Sequence, residues 1–247
     1  MSILFFLYGL IFGSFYNVVG LRVPNDESIV HPPSTCPTCK HRLTWKDLVP
    51  VFSYMFLGGK CRHCKTSIPI FYPLMELLTG ILFVYAYLQE GFSGELIVAL
   101  LYVSLFVIIT VSDLVYMIIP DKVLIILGLM LLAGRIISPL DPWWESLAGA
   151  IIGFFLLWLI AIVSKGGMGG GDVKLFLLIG LVSGSKGVLM TLFIASFIGA
   201  FIGVISILLF HQDRKTPIPF GPFIAIGALI VYFHGNQLLE SYLNLFF

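Results

Sequence analysis

The sequence predicts an all-α polytopic integral membrane protein with about eight transmembrane helices. Two observations predict this class. The 247 residues are 59% hydrophobic and only 11% charged, with a mean hydropathy of +1.03. The apolar residues also form long runs, and roughly 20 of them in succession suffice to cross a bilayer as a helix. A soluble domain of this length could not bury so much apolar surface.

The predicted spans follow one another along the whole chain. They lie near 2–20, 71–88, 95–112, 118–137, 143–164, 173–185, 187–209 and 221–243. A helix is expected for each because it satisfies all of its own backbone hydrogen bonds in lipid. No charge precedes Arg22, so the first run reads as an uncleaved span and not as a signal peptide. The sixth span is short, and Gly180, Gly184 and Gly187 interrupt its region.

The basic residues indicate how the chain is oriented. With the N-terminus outside, four loops face the cytoplasm, namely 21–70, 113–117, 165–172 and 210–220. Twelve of the 14 lysines and arginines then lie in or beside these loops, and only Arg135 and Lys186 lie outside. The twelve are Arg22, Lys40, Arg42, Lys46, Lys60, Arg62, Lys65, Lys122, Lys165, Lys174, Arg214 and Lys215. This is the bias of the positive-inside rule. No basic stripe or nucleic-acid motif is visible, so no nucleic-acid partner is expected.

The longest polar segment, residues 21–70, contains all four cysteines, and we call it the cysteine loop. They form two C-x-x-C pairs, Cys36 with Cys39 and Cys61 with Cys64, with 21 residues between the pairs. This spacing predicts a tetrahedral four-cysteine zinc site. The alternatives are two disulfides or two unrelated thiol pairs, and the predicted cytoplasmic location disfavours disulfides.

A site of four sulfurs leaves no open coordination position on the metal. The zinc is therefore expected to be structural and to clamp a loop that has little core of its own. His41 and His63 are possible substitute ligands, but each is expected to point to solvent.

Two aspartates at the edges of apolar runs are the candidate catalytic residues. Asp113 follows the third run, and Asp172 ends the sequence Gly169-Gly170-Gly171-Asp172. Ionisable groups at membrane depth are functional candidates by default. Both acids fall on the predicted cytoplasmic side, so they can meet and share a proton as an aspartyl protease dyad does. The alternative is that each is a solvated helix-end or capping residue.

The other acids have simpler interpretations. Asp121 is expected to cap the fourth span. The remaining candidates fall on the outer face and are interpreted as ordinary loop charges; they are Asp141, Glu90, Glu95 and Glu145.

A family resemblance rests on motifs distributed over nearly the whole chain. Gly167-Met168-Gly169-Gly170-Gly171-Asp172-Val173-Lys174, together with Asp113 and Ile119-Pro120, resembles the signature of the type IV prepilin leader peptidases. These membrane aspartyl proteases share a G-x-G-D motif with the presenilin-like enzymes. Further matching segments are 13–19, 22–24, the two cysteine pairs, 71–80 and 219–223. The compact form is most similar to the prepilin peptidases of Gram-positive competence systems.

The resemblance implies two reactions at the bacterial plasma membrane. The family cuts the short basic leader from prepilin or pseudopilin precursors on the cytoplasmic side, and the match assigns this to Asp113 and Asp172. It then N-methylates the new N-terminal residue, usually phenylalanine, with S-adenosylmethionine as the donor. No Rossmann-type glycine loop is visible for that donor. Lys174 is expected either to tune the charge of Asp172 or to extend to the interface.

Three residues match family positions and are candidates for the methyl-donor site: Asn17, Arg22 and Glu76. Each also has a structural interpretation. Asn17 can form an interhelical hydrogen bond, Arg22 can anchor the chain at the interface, and Glu76 can pair with Arg22 or with another helix.

The chain is expected to divide into a methyltransferase part, residues 1–94, and a peptidase core, residues 95–247. The competing functions are a peptidase without methylation, a proton-coupled transporter and a non-catalytic scaffold. No inverted repeat is visible, and both acids lie at the membrane edge, which disfavours a transporter. A scaffold would leave both acid motifs unexplained.

Overall fold

A computed structural model describes residues 1–164, 167–210 and 218–246. Over these residues the chain is helical and contains no β-strand, only two isolated bridges, which confirms the predicted all-α class. It divides into two compact units, Met1–Val111 and Ser112–Phe247. The division falls inside the fourth α-helix, which contributes residues to both units.

The first unit is built from long apolar helices and the cysteine loop. Its α-helices are α1 (Ser2–Arg22), α2 (Phe52–Phe56), α3 (Phe71–Glu90) and the greater part of α4 (Gly94–Tyr116), with short 3₁₀ helices at Val23–Asn25 and Trp45–Asp47. Helices α1 and α3 approach closely because glycines face each other. A Cβ atom at Gly9 would lie 2.6 Å from the Gly80 Cα. Such small-residue contacts are typical of helix packing in membranes.

The second unit contains the end of α4 and four further helices, α5 (Asp121–Ile137), α6 (Glu145–Val163), α7 (Gly170–Phe210) and α8 (Gly221–Phe246). Helices α6 and α7 also pack through glycines. A side chain at Gly180 would overlap the backbone of Gly149, and one at Gly153 would overlap that of Phe176. These close approaches leave little freedom in how α7 lies against α6.

Helix α7 is interrupted at Gly184, whose φ of 69° and ψ of −175° are not helical. Two side chains satisfy the backbone groups released by the break. Arg135 donates from Nη2 to the Val182 carbonyl at 2.6 Å, and Glu145 Oε2 accepts the Ser185 N–H at 3.0 Å. The interpretation of Glu145 as an ordinary loop charge was therefore wrong, because an interrupted helix in lipid needs such partners.

Six helices among the described residues are long and apolar enough to cross a membrane. The protein is therefore a multi-pass membrane protein. Helix α5 has only 17 residues, and α7 is a single helix apart from its break at Gly184, so the predicted count of eight stays a prediction. Helix α4 extends beyond its predicted end and α7 begins before its predicted start. Asp113 and Asp172 consequently lie within helices and not in the connecting loops.

Candidate active site, cysteine cluster and cavity

Asp113 lies in the last turns of α4 and is only 6% exposed. Its Oδ2 atom accepts the backbone N–H of Gly221 at 2.7 Å. Gly221 is the first residue of α8, so the carboxyl group faces the N-terminus of that helix. The partial positive charge at a helix N-terminus favours a carboxylate there.

Asp172 lies in the first turn of α7 and is 8% exposed. Its Oδ2 atom accepts the Gly169 N–H at 3.2 Å, while its own N–H donates to the Gly169 carbonyl at 3.1 Å. Gly169 therefore binds both the carboxyl group and the backbone N–H of Asp172.

The two aspartates, 59 positions apart by their residue numbers, are brought together in the second unit. Both carboxyl groups are buried, and they lie near enough for their charges to interact. The segment between α4 and α5 contacts α7 here, because a Cβ atom at Gly171 would lie 2.7 Å from the Ile119 Cβ. The arrangement is two enclosed carboxyl groups, each fixed by one glycine N–H.

Lys174, two residues after Asp172, forms a salt bridge with Asp121. The Lys174 Nζ lies 2.8 and 2.7 Å from the two carboxylate oxygens of Asp121. Asp121 is the first residue of α5, and Pro120 occupies the capping position, so the predicted cap is displaced by one residue. The Lys174 ammonium therefore pairs with Asp121 and not with Asp172.

The four cysteines gather at one point of the cysteine loop. Their sulfur atoms all lie within 4.8 Å of one another, and none forms a disulfide. The two pairs share one local geometry: the Cys36 and Cys61 N–H groups donate to the His41 and Thr66 carbonyls at 3.0 and 2.8 Å. The disulfide alternative was therefore wrong, and the cluster can hold a metal ion.

Side chains around the cluster stabilise its turns. Lys40 and Lys65, which follow the second cysteine of each pair, both have positive φ, 57° and 61°. Hydrogen bonds with the hydroxyl and the backbone of Thr66 lower the pKa of the Cys64 thiol to about 6. His41 and His63 are exposed and stack on each other with their ring centroids 4.6 Å apart. They lie outside the four-sulfur group, as expected.

A polar contact links the second cysteine pair to the preceding 3₁₀ helix. Arg62 Nε donates to Asp47 Oδ1 at 2.7 Å. Asp47 Oδ2 also accepts the Thr44 hydroxyl at 2.6 Å and the Thr44 N–H at 3.0 Å. The hydrogen bond from the Thr44 hydroxyl and the contact with Arg62 lower the pKa of Asp47 to about 2.

A cavity of 420 Å³ lies between α1, α3 and the cysteine loop. Its lining includes all three residues that the family positions single out, Asn17, Arg22 and Glu76. Asn17 donates from Nδ2 to the Tyr72 carbonyl at 3.1 Å, as its structural interpretation predicts. Arg22 donates from Nη1 to the Ser28 carbonyl at 3.0 Å. The fold thus brings Asn17 and Arg22 of α1 and Glu76 of α3 to one cavity.

Of the two pairings predicted for Glu76, the structure shows the one with another helix and not the one with Arg22. Its Oε2 atom accepts the Val51 N–H at 2.7 Å, and its carboxylate also hydrogen-bonds the Ser14 side chain. No ion pair with Arg22 is found among the described residues. The partner, Val51, could not be predicted, because its position depends on how the cysteine loop folds back onto α3.

These features define a multi-pass membrane protein with a buried pair of acids and a four-cysteine cluster. Two family models match the sequence. Residues 7–90 match the bacterial peptidase A24 N-terminal domain, and residues 100–204 match the type IV leader peptidase family. The chain belongs to the type IV leader peptidase family.

Curated relatives match over nearly their full length. A protein of Bacillus subtilis named prepilin leader peptidase/N-methyltransferase is 42% identical, and the match covers 99% of this chain and 98% of that protein. Proteins of the same name from Xanthomonas campestris and Pseudomonas aeruginosa are 35% and 34% identical, each with 96% of this chain and 92% of the relative covered. No solved structure matches the chain. The family membership confirms the resemblance found in the motifs.

Proposed function

We propose that this enzyme is a membrane aspartyl peptidase whose catalytic pair is Asp113 and Asp172. The observation that supports this best is that two buried carboxyl groups from different helices, each bound by a glycine N–H, lie near enough for their charges to interact. Two negative charges in such a pair repel each other strongly, so the pair is expected to carry one shared proton. That is the protonation state that aspartyl hydrolysis requires.

In the proposed reaction the ionised member takes a proton from a water molecule as that water attacks the scissile carbonyl. The protonated member donates its proton to the carbonyl oxygen, which gives a neutral tetrahedral intermediate. The intermediate then collapses: one hydroxyl group gives its proton to the ionised carboxylate as the carbonyl re-forms, the carbon–nitrogen bond breaks, and the leaving amine takes a proton from the protonated carboxyl group. The N–H groups of Gly221 and Gly169 hold the carboxylates in place during these transfers.

The test is cleavage of a purified model prepilin by full-length protein carrying Asp113→Asn or Asp172→Asn. Each substitution is expected to reduce cleavage to background, because an amide cannot exchange the proton. Asp141→Asn changes an exposed carboxylate and is the matched control, which is expected to keep the wild-type rate. Cleavage that survives in either active-site variant would exclude the pair and favour the transporter alternative.

We infer that the substrates are prepilin or pseudopilin precursors, cut after their short basic leader. The names of the curated relatives support this choice. The cut is proposed to occur on the cytoplasmic side of the bacterial plasma membrane, with the N-terminus of the chain outside. The distribution of basic residues supports that orientation. Three of them, Lys165, Arg214 and Lys215, lie outside the described residues.

We propose that Cys36, Cys39, Cys61 and Cys64 hold a structural zinc ion. Zinc–sulfur bonds of about 2.3 Å in a tetrahedron require sulfur atoms about 3.8 Å apart. The Cys36 and Cys64 sulfurs lie 3.7 Å apart, and all four sulfurs lie within 4.8 Å of one another, which suits this ion. Four thiolate ligands fill the coordination sphere, and the metal would fix the cysteine loop and take no part in catalysis.

We also propose that the 420 Å³ cavity binds S-adenosylmethionine for methylation of the new N-terminus. The Oδ1 atom of Asn17 is buried without a hydrogen-bond partner among the described residues, which fits a site that awaits a donor group. Arg22 offers a guanidinium for the carboxylate of this donor, and Asn17 offers an oxygen for its ammonium group. When bound, the cofactor supplies an electrophilic methyl carbon.

Mass spectrometry of the product N-terminus tests this second activity. A product one methyl group heavier than hydrolysis predicts would support methylation by the same chain. Arg22→Ala and Asn17→Ala are expected to weaken binding of S-adenosylmethionine and to spare cleavage. A cleaved but unmethylated product from the wild type, with the donor present, would leave the peptidase-only alternative.

A further inference from the structure

We propose that Glu76 is the catalytic residue that accepts the proton of the amine during N-methylation. The inference rests on the proposed methyltransferase function of the cavity and deepens it. It names the acceptor group that the cavity must recognise, a primary ammonium at the end of a peptide, and the side chain that prepares it for reaction.

Glu76 is a buried carboxylate, 9% exposed, on the wall of the cavity. It belongs to α3, which is a regular helix from Phe71 to Glu90. Its Oε2 atom accepts the Val51 N–H at 2.7 Å, and the Ser14 side chain is its other hydrogen-bond partner. Both partners are uncharged, so the carboxylate has no paired cation among the described residues.

The backbone conformation of Val51 indicates that its hydrogen bond to Glu76 is structurally important. Its φ of 62° and ψ of −53° are unusual for a β-branched residue. Backbone in this region is strained for such a residue and persists only where the surrounding contacts determine it. The carboxylate of Glu76 therefore holds the cysteine loop against α3 at this point, and the same residue connects the loop fold to the cavity.

Only one other carboxylate lines the cavity over the described residues, that of Asp47. Both of its oxygens are already engaged. Oδ1 accepts from Arg62 at 2.7 Å, and Oδ2 accepts from the hydroxyl and N–H of Thr44. Glu76 is the carboxylate whose charge no cation balances, and it is the one suited to receive a proton from a bound ammonium.

The reaction needs such an acceptor. An α-amino group has a pKa of about 7.7–8.0, so at neutral pH it is mainly protonated and has no free electron pair. Transfer of one proton to Glu76 frees that pair, which forms the nitrogen–carbon bond to the methyl group. The carbon–sulfur bond of the donor breaks, and its electron pair remains on sulfur as a neutral thioether. The proton on Glu76 passes to water when the product leaves.

The decisive variant is Glu76→Gln in the full-length protein. A glutamine can still accept the Val51 N–H through its amide oxygen, but it cannot take a proton. The substrate is a synthetic peptide that begins with a free N-terminal phenylalanine, so the measurement does not depend on cleavage. We expect the methylation rate near pH 7 to fall about 6- to 11-fold, because an amine with a pKa of about 7.7–8.0 is still roughly 9–17% unprotonated at that pH.

Two further readouts separate a base from a structural residue. The affinity for S-adenosylmethionine, measured by calorimetry, is expected to stay close to the wild-type value. Methylation by Glu76→Gln is also expected to recover as the pH rises above about 8, where the amine loses its proton unaided. The other charged or titratable groups on the cavity wall are the same in the wild type and in Glu76→Gln, so they do not explain a difference between the two pH profiles. These groups include Arg22, His41, Asp47, Arg62 and His63.

The controls define what would overturn the inference. Glu90→Gln changes a carboxylate at the far end of α3, away from the cavity lining, and is expected to methylate normally. Wild-type methylation by Glu76→Gln, loss of donor binding in that variant, or a reduced rate that stays flat with pH would each contradict the role of Glu76. Failure of the proposed function itself has a different signature, because the wild type would then leave the peptide unmethylated at every pH.

Discussion

At the residue scale, a glycine sets the position of the first candidate catalytic acid. Gly221 donates its N–H to Asp113 Oδ2 at 2.7 Å. A Cβ atom at that position would lie 2.8 Å from the same oxygen and 3.1 Å from the Asp113 Cβ and Cγ. Any side chain at position 221 must therefore displace either α8 or the carboxyl group. Gly221 thus donates its N–H to Asp113 at a position that has no room for a side chain.

Gly221→Ala is accordingly expected to slow prepilin cleavage about 10- to 100-fold, because displacement of a reacting group by about 1 Å can cost that much. The initial rate of cleavage measures the effect. Gly203→Ala is the matched control, since the nearest atom to its added Cβ lies 3.8 Å away. Methylation of a pre-cleaved peptide should be normal in both variants. A wild-type cleavage rate for Gly221→Ala would show that Asp113 does not depend on this contact.

At the scale of helices and connections, the segment between α4 and α5 is tied at each end. The Ser112 hydroxyl donates to the Ile118 carbonyl at 2.5 Å, and Met117 adopts a positive φ of 55°. Beyond it, Asp121 at the start of α5 pairs with Lys174 in α7. The pair joins the helix after Asp113 to the helix that carries Asp172, so it is suited to set the separation of the two acids.

The ion pair is exposed, with side-chain exposures of 52% for Lys174 and 58% for Asp121, so its contribution should be modest. Exposed pairs are worth about 0.2–1 kcal/mol, which is at most about a fivefold change in rate. Asp121→Asn and Lys174→Gln are each expected to slow cleavage within that range. The double variant should be no slower than the slower single variant, because both changes break one contact. Fully additive effects would mean that the two residues act separately.

The sequence predicted where the helices lie better than it predicted which residues of different helices contact each other. Apolar runs located the helices, and the predicted gap near Gly184 coincides with the break in α7, because backbone conformation there depends on a local glycine. The contacts that stabilise the break, from Arg135 and Glu145, lie more than 35 residues away in the chain. Only the packing of α5 and α6 against α7 brings them there, and no local pattern encodes that packing.

At the scale of the whole molecule, the proposed activities belong to separate groups of residues. The cavity is lined entirely by residues of the first unit, whereas Asp113, Asp172 and Gly221 belong to the second. The cysteine pairs were predictable because each is local in sequence. The cavity was not, because it requires the cysteine loop to fold back until Val51 reaches Glu76 on α3. The cluster and the cavity share wall residues, including Cys36 and Cys61.

This shared wall leads to the final prediction, for Cys61→Ser or for treatment with a chelator that would remove the proposed zinc ion. Loss of one sulfur ligand is expected to release the metal, because structural zinc sites and their loops form together. The cavity wall then loses its support, so methylation should fall to background while cleavage of prepilin continues. Metal content by mass spectrometry and the two activities are measured on the same sample. His63→Ala, between two ligands but outside the sulfur cluster, is the control for metal content and should keep its zinc. Loss of cleavage together with methylation would show that the cysteine loop also supports the peptidase site.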